Sequence, residues 1–224
     1  MMQLNKNKKG FTLLELLIVI AILAVLGAIV IFLLNPAETL RKARDSQRIS
    51  DLSTIKTALG IYIASKNAPS LDNGTNTFCI GGGGATTKMW VSDTRVTGIN
   101  ASSSVLRVTT STVANNNGLT NGNGWLQVNL DSLTGGSPIS NMPVDPSNPS
   151  ASDVTQISSS TLAYRFACRK SPLGFEVDAI LESGTYGPGS AEDDRAAKDG
   201  GNNSSYYEVG TDLTILPGGI TGDF

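Results

Sequence analysis

Hydrophobic and polar positions divide the chain into three parts, and the first is the most apolar. Every residue in the run 16–34 is apolar or glycine. In a helix this run spans about 28 Å at ~1.5 Å per residue, close to the ~30 Å hydrocarbon core of a bilayer. A cleaved secretory signal has a shorter apolar core of ~7–15 residues that ends at a small-x-small site. The pattern therefore predicts a membrane-spanning helix within residues 11–34.

The pattern changes at Asn35 and Pro36, which are typical of a helix start, with asparagine at the N-cap and proline at the first helical position. Because proline inside a helix removes a backbone hydrogen bond, we expect the first helix to kink or restart here. Apolar residues then recur every three or four positions, which predicts an amphipathic helix over 35–66 with charged pairs on its solvated side. The stripe is Leu40, Ala43, Ile49, Leu52, Ile55, Leu59 and Ile63, and the pairs are Glu38–Lys42 and Arg41–Asp45.

Residues 67–224 are expected to form a loop-rich antiparallel β head. In the two clearest strand candidates, 162–168 and 175–181, apolar residues alternate with charged ones. Packed as a hairpin, they would turn an apolar face inwards and opposite charges outwards. The charged residues are Arg165 and Arg169 on the first strand and Glu176, Asp178 and Glu182 on the second. The predicted fold class is α+β, with a long N-terminal helix, half membrane and half amphipathic, on a small antiparallel sheet. Shorter strand candidates are 89–91, 105–109 and 125–130.

Composition argues against an enzyme and against a nucleic-acid binder. The chain has a formal net charge of -2 and no histidine. It therefore lacks the usual general base, the usual metal ligand and every Ser-His or Cys-His pair. For catalysis only carboxylate pairs remain, such as Glu176 and Asp178, and such a pair is more often a solvated stripe. We expect no enzymatic activity and no basic footprint for DNA.

Glu15 interrupts the otherwise apolar stretch 11–17. A carboxylate inside a membrane segment costs several kcal/mol unless it is paired, so Glu15 is a candidate functional residue. The alternative is that Glu15 marks the interfacial end of the helix, with Lys8 or Lys9 as its partner in the intact chain.

The stretch 8–17, Lys-Lys-Gly-Phe-Thr-Leu-Leu-Glu-Leu-Leu, resembles the class III signal of type IV prepilins and type II secretion pseudopilins. In that family a membrane prepilin peptidase removes a short basic leader after the glycine, and the new N-terminal residue, usually phenylalanine, is N-methylated. The resemblance implies loss of residues 1–10 by a cut between Gly10 and Phe11. It further implies a pilin-like fold and a homo-oligomeric helical filament, built by inner-membrane assembly machinery.

Cleavage after Gly10 would create a positive amine at Phe11, four residues or roughly 6 Å from Glu15. Opposite unit charges at ~4 Å attract by about 4 kcal/mol at an effective dielectric near 20. The amine can pair with Glu15 of its own chain or, as the resemblance implies, with Glu15 of a neighbouring subunit. The hypothesis is that Glu15 sets the stagger between parallel helices.

The lysines and arginines that flank the apolar run do not decide its orientation. The resemblance places the N-terminus in the cytoplasm, which implies a single-pass inner-membrane protein with an extracytoplasmic head. The assembled filament would be an extracellular pilus or a periplasmic pseudopilus. Disulfides persist outside the cytoplasm, so Cys79 and Cys168 are disulfide candidates, with two separate buried thiols as the alternative.

A late acidic segment offers clustered oxygen ligands of the kind that calcium takes. Major pseudopilins carry a calcium site in a late loop, but the spacing here matches no EF-hand, and nearby lysine and arginine dilute the charge. We favour a solvated loop, with calcium as the alternative and no other cofactor expected. The candidate ligands are Asp193, Asp194, Asp199 and Asn202.

Two functions remain after these exclusions. The favoured one is a structural subunit that polymerises through its N-terminal helix, with the lipid bilayer as its surroundings before assembly. The alternative is a minor pilin or pseudopilin whose head binds DNA, a surface or secretion cargo. Exposed basic and aromatic positions are sparse in the head sequence, so we do not expect DNA binding.

Overall fold

The computed structural model describes most of the chain, and the chain divides into two compact units, Met1–Leu40 and Arg41–Phe224. Of the predicted leader 1–10, only Gly10 lies within the described part. The described residues are 10–83, 87–93, 98–99, 106–110, 118–147, 156–157 and 161–216. Only the backbone is described at 31–34, 98–99, 106–110 and 156–157.

Two helices follow one another, α1 over Leu13–Leu34 and α2 over Pro36–Ser65. Between them Asn35 adopts the left-handed conformation, with φ 38° and ψ 74°. Asparagine is one of the few residues that tolerate this region, and Pro36 supplies no amide to continue the first helix. The Asn35 side chain accepts a hydrogen bond from the Glu38 amide at 3.4 Å, as an N-cap does. The predicted helix restart is confirmed.

The strands described in the unit Arg41–Phe224 are β1 Thr87–Val91, β2 Gly98–Ile99, β3 Leu106–Thr110, β4 Gln156–Ile157, β5 Arg165–Arg169, β6 Gly174–Ala179 and β7 Tyr207–Gly210. Five of them form one sheet in the order β3-β1-β5-β6-β7. The neighbouring pairs β1-β5, β5-β6 and β6-β7 are antiparallel, whereas β3 pairs in parallel with β1 at the edge of the sheet. The predicted α+β class is confirmed. Strands β2 and β4 form a separate parallel pair.

The main core lies between α2 and one face of this sheet. On the sheet side, Trp90, Phe166, Val177 and Val209 stand directly opposite one another in four successive strands. Alternation with period two puts one apolar residue of each strand into this row. The same cluster contains the buried α2 residues Leu52, Ile55, Ala58, Leu59 and Tyr62.

The apolar stripe predicted for α2 is correct only in its second half. Leu40 and Ala43 are exposed, and the buried positions in this part of the helix are Asp45 and Arg48. Arg41 is exposed as predicted, but the prediction that Asp45 lies on the solvated side is wrong, because Asp45 is fully buried. Partners far along the chain, described below, satisfy these buried charges.

The hairpin of β5 and β6 forms with the expected pairing, and Arg165 stands opposite Asp178. The prediction that its charged face is solvated is wrong, because Arg165, Glu176 and Asp178 are each at most 1% exposed. This second face of the sheet is covered by a smaller core that includes the late residues Ile215 and Leu216.

The strand predicted at 125–130 is not formed. The structure has only one isolated bridge here, between Asn121 and Asn129, followed by a short 3-10 helix at Leu130–Ser132. Trp125 nevertheless reaches the main core, and its indole nitrogen donates to the Pro143 carbonyl at 2.8 Å. The apolar content of this segment therefore fills the core from a loop, without a ladder partner.

Candidate processing and assembly site

The peptide bond between Gly10 and Phe11 lies in non-helical backbone just ahead of α1. The Phe11 side chain is 75% exposed, and no heavy atom outside its chain neighbours comes within 4 Å of a Cβ built on Gly10. An exposed backbone without helical hydrogen bonds is open to an enzyme that must grip it in an extended form. The predicted cleavage point is thus sterically accessible among the described residues.

Thr12 caps the start of α1. Its backbone is extended, with φ -83° and ψ 150°, and its hydroxyl oxygen accepts a hydrogen bond from the Glu15 amide at 3.2 Å. This is one half of a capping box, Thr-x-x-Glu, in which the threonine satisfies an amide that the helix leaves unpaired. Sequence reasoning missed this role of Thr12, although the spacing to Glu15 was a visible signal.

Glu15 is exposed at the third helical position, in the first turn of α1. The N-terminal end of a helix carries a partial positive charge, which favours a carboxylate and disfavours a cation. Cleavage after Gly10 would put an amine on Phe11, one residue before the cap, where this field opposes it. An amine there requires a nearby negative group, and Glu15 is the acidic residue of that first turn.

Apart from Glu15 in its first turn, helix α1 is apolar around its whole circumference. Its window Leu13–Val30 has a mean hydropathy of 3.0, and none of it is buried. By length and composition it can cross a membrane. A helix that is apolar on every side belongs in a protein core, in lipid or against other helices. No described residue of the window is in a core, so lipid or neighbouring helices must cover it.

Cys79 and Cys168 form a disulfide, with their Cα atoms 4.7 Å apart. The neighbouring Ile80 pairs with the same strand: its amide donates to the Cys168 carbonyl at 2.8 Å, and its carbonyl accepts from the Lys170 amide at 2.9 Å. The covalent bond and these two hydrogen bonds attach the segment after α2 to β5.

The three aspartates among the candidate calcium ligands already have partners within the chain. Asp193 accepts from Arg195 at 2.6 Å and from Lys198 at 3.1 Å, and hydrogen bonding from Lys198 lowers the pKa of Asp193. Asp194 and Asp199 each accept two hydrogen bonds from backbone amides. A calcium ion would compete with Arg195 and Lys198 for Asp193, and calcium binding stays a prediction. The full candidate set is Asp193, Asp194, Asp199 and the exposed Asn202.

A buried ion cluster fixes the early part of α2 in the head, and sequence reasoning missed it. The Arg48 guanidinium binds both oxygens of Asp145, at 2.7 and 3.0 Å, together with Asp45 at 2.7 Å and Glu182 at 2.9 Å. Burial lowers the pKa of Arg48, but its bonds to Asp145 and the other carboxylates outweigh this and raise it above the ordinary value. Hydrogen bonds from Arg44 in turn lower the pKa of Glu182 to about 2.

Comparison with known proteins identifies the N-terminal segment. Residues 5–31 match the model of the prokaryotic N-terminal methylation motif, which is the signature of type IV pilins and pseudopilins. The match contains Gly10, Phe11, Thr12 and Glu15. No curated protein and no solved structure matches the chain. The motif therefore supports a protein like the type IV pilins and pseudopilins, and it points to a structural role. The motif and α1 together fit membrane anchoring.

Proposed function

We propose that this protein is a structural subunit of a type IV pilus or a periplasmic pseudopilus. Prepilin peptidase cuts between Gly10 and Phe11, the Phe11 amine is methylated, and the inner-membrane machinery assembles the mature chain into a helical filament through α1. The observation that carries this proposal is an apolar helix, exposed along Leu13–Val30, that begins directly behind the accessible Gly10–Phe11 bond.

The exposed surface of α1 explains why the helix needs neighbours. Burying a single leucine, isoleucine or valine side chain contributes about 1.5–3 kcal/mol. Moving α1 from lipid into water would forfeit that amount many times over. The helix therefore leaves the bilayer only if other apolar surface replaces the lipid, and identical helices packed side by side supply it.

Apolar contacts between parallel helices do not fix their relative height, because they are non-directional. A charged pair does fix it. If the Phe11 amine of one subunit meets Glu15 of the next, the two helices have one favoured stagger. Both charges are then neutralised at the place where lipid is lost. Glu15 acts in this proposal as the register residue of assembly.

The head is proposed to lie outside the cytoplasm. The buried Cys79–Cys168 disulfide supports this location, because such bonds persist in oxidising compartments. A phosphatase fused to the C-terminus, active only outside the cytoplasm, tests it. Activity in intact cells is expected, and an inactive but stable fusion would contradict the orientation.

The Glu15→Ala variant tests the role of the register residue. The matched control is Glu38→Ala, which removes the acidic residue from the first turn of α2 instead. We expect both variants to enter the membrane and to be cleaved. Filaments in the sheared or periplasmic fraction should be lost in Glu15→Ala and kept in Glu38→Ala. Normal filaments from Glu15→Ala would refute the assembly role.

A further inference from the structure

A row of charged side chains crosses the second face of the sheet. Arg165 on β5, Asp178 on β6 and Glu208 on β7 stand directly opposite one another. Glu176 lies two residues before Asp178, so its side chain points to the same face. All four residues are buried, with at most 2% of each exposed.

The positive charge of Arg165 is matched by Asp178. The guanidinium donates to both oxygens of that carboxylate, with 2.6 Å between Nε and Oδ1, and it lies over the Tyr206 ring at 3.5 Å from the centroid. One cation and one carboxylate thus balance each other. The carboxyl groups of Glu176 and Glu208 remain on the same face and have to be accounted for separately.

These two glutamates each use one oxygen and leave the other without a donor. Glu176 Oε2 accepts from the amides of Ile215 and Leu216, both at 2.8 Å, and Glu208 Oε2 accepts from the Asn203 amide at 3.1 Å. Both Oε1 atoms are buried without a hydrogen-bond partner. Glu176, Asp178 and Glu208 bring one oxygen each within 4.8 Å of one another.

Two ionised carboxylates so close together in a buried site repel each other strongly, and one of them takes up a proton. A single proton satisfies both free oxygens, because the neutral carboxyl donates its O–H to the carboxylate. We propose that Glu176 and Glu208 share one proton in the folded head, and that this pair is a pH-sensitive latch holding Ile215 and Leu216 on the sheet.

The surroundings favour Glu176 as the residue that holds the proton. Burial raises its pKa most, followed by its hydrogen bond to Glu208 and the negative charge of Asp178. The Leu216 amide opposes this shift. The loop before β7 adds a further carboxylate, Asp199, which accepts from the Glu208 amide at 2.6 Å. Among the described residues, the other charged or titratable groups facing the pair are Arg165 on β5 and Tyr206 ahead of β7.

The latch has a defined direction with pH. In the unfolded chain Glu176 ionises near its ordinary pKa, whereas in the folded head the pKa is raised. Folding therefore takes up a proton between these two values. The stabilisation is complete below the ordinary pKa and is lost as the pH rises towards the folded pKa. One proton corresponds to a change of up to tenfold per pH unit in the unfolding constant.

Release of the latch would uncover apolar surface. Ile215 and Leu216 pack with Met89, Val91 and Ala167 in the smaller core. Ionised Glu176 can still accept from the Ile215 and Leu216 amides. Its new charge repels the carboxylate of Glu208, however, and pushes the Glu176 side chain away from the position in which it binds these amides. Opening is therefore expected at the C-terminal segment before the rest of the sheet.

The test uses the full-length chain in detergent micelles, unfolded by denaturant at pH 5 to 9. The Glu176→Gln variant imitates the protonated form, because its amide can donate to Glu208. Glu208→Gln instead lets an ionised Glu176 accept a hydrogen bond from the side-chain amide of the new glutamine.

The control is Glu192→Gln, since the Glu192 side chain is 69% exposed. We expect the unfolding constant of the wild type and the control to rise with pH, and both latch variants to lose this dependence. An unchanged pH slope in either latch variant would overturn the proposal.

Infrared spectroscopy of the wild type supplies a readout that does not depend on any variant's stability. A protonated carboxyl band is expected at pH 7, and it should disappear in Glu176→Gln but remain in Glu192→Gln. Its absence in the wild type overturns the latch. So does stabilisation of the wild type at pH 7 by calcium, reversed by a chelator and absent in Glu176→Gln, because a cation would then occupy the place assigned to the proton.

Discussion

Arg48 donates to both carboxylate oxygens of Asp145, although 97 positions separate the two residues in the chain. Both side chains are fully buried. Bidentate arginine–carboxylate pairs combine charge with fixed geometry. The pair therefore connects α2 to the loop that contains Asp145. It does so in the early part of α2, where the buried residues are charged rather than apolar.

Removing the arginine should destabilise the head strongly. In Arg48→Met the carboxylates of Asp45 and Asp145 stay buried without their cation, and breaking a buried pair in this way costs about 3–5 kcal/mol. Denaturant unfolding of the full-length chain in micelles measures the loss. Arg195→Ala is the control, because Arg195 pairs with Asp193 at the surface and its removal should leave the midpoint unchanged. Equal midpoints for the two variants would contradict a structural role for the cluster.

The same cluster predicts sensitivity to acid. The pKa of Glu182 is lowered to about 2, so its ion pairs stabilise the fold above the ordinary glutamate pKa and fail as the pH falls through 2. Because the carboxylate is partly exposed and solvent screens it, we expect a contribution of about 1–2 kcal/mol. Glu182→Gln should be less stable at pH 7 and should lose less stability between pH 5 and pH 2. Parallel wild-type and variant curves would contradict this assignment.

The disulfide should be an important source of stability. Cys79 and Cys168 are 89 positions apart, and closing a loop of that length is worth about 4 kcal/mol in the chain-entropy estimate. The Cys79→Ser/Cys168→Ser double variant should unfold at lower denaturant than the oxidised wild type. Reductant should shift the wild type to the same midpoint and leave the double variant unaffected. A wild type indifferent to reductant would argue against the bond.

Local sequence predicted the hairpin strands β5 and β6 but not what covers them. The alternation in β6 correctly placed Val177 on the apolar face and Asp178 on the charged face, where the structure sets it opposite Arg165. It did not show that the charged face is buried, because its cover comes from Ile215 and Leu216, far along the chain. The burial of Arg48 could not be predicted for a similar reason. The helical periodicity of α2 carries no information about a carboxylate 97 positions away in the chain.

The candidate site was easier to predict, because its residues are contiguous. Gly10, Phe11 and Glu15 lie within the six positions directly ahead of the apolar run 16–34, and their chemistry depends on their spacing along the chain. Thr12 belonged to the same pattern. Its cap became evident only from the backbone angles, although the threonine and Glu15 have the spacing of a capping box.

Loss of that cap should loosen the first turn of α1. Thr12→Val removes the hydroxyl that accepts from the Glu15 amide, at a cost of about 1 kcal/mol. Amide exchange at Glu15, measured in micelles, should become about fivefold faster because RT is about 0.6 kcal/mol. Thr12→Ser keeps the acceptor and should restore slow exchange. Slow exchange in Thr12→Val would show that the cap is not needed.

Processing at Gly10 is the step on which filament assembly depends in this account, and intact-mass spectrometry of the protein from its native membrane or filament tests it most directly. The predicted mature chain begins at Phe11 and carries one methyl group on its amine. A filament-forming chain that still begins at Met1, or a mature N-terminus at another residue, would contradict the account.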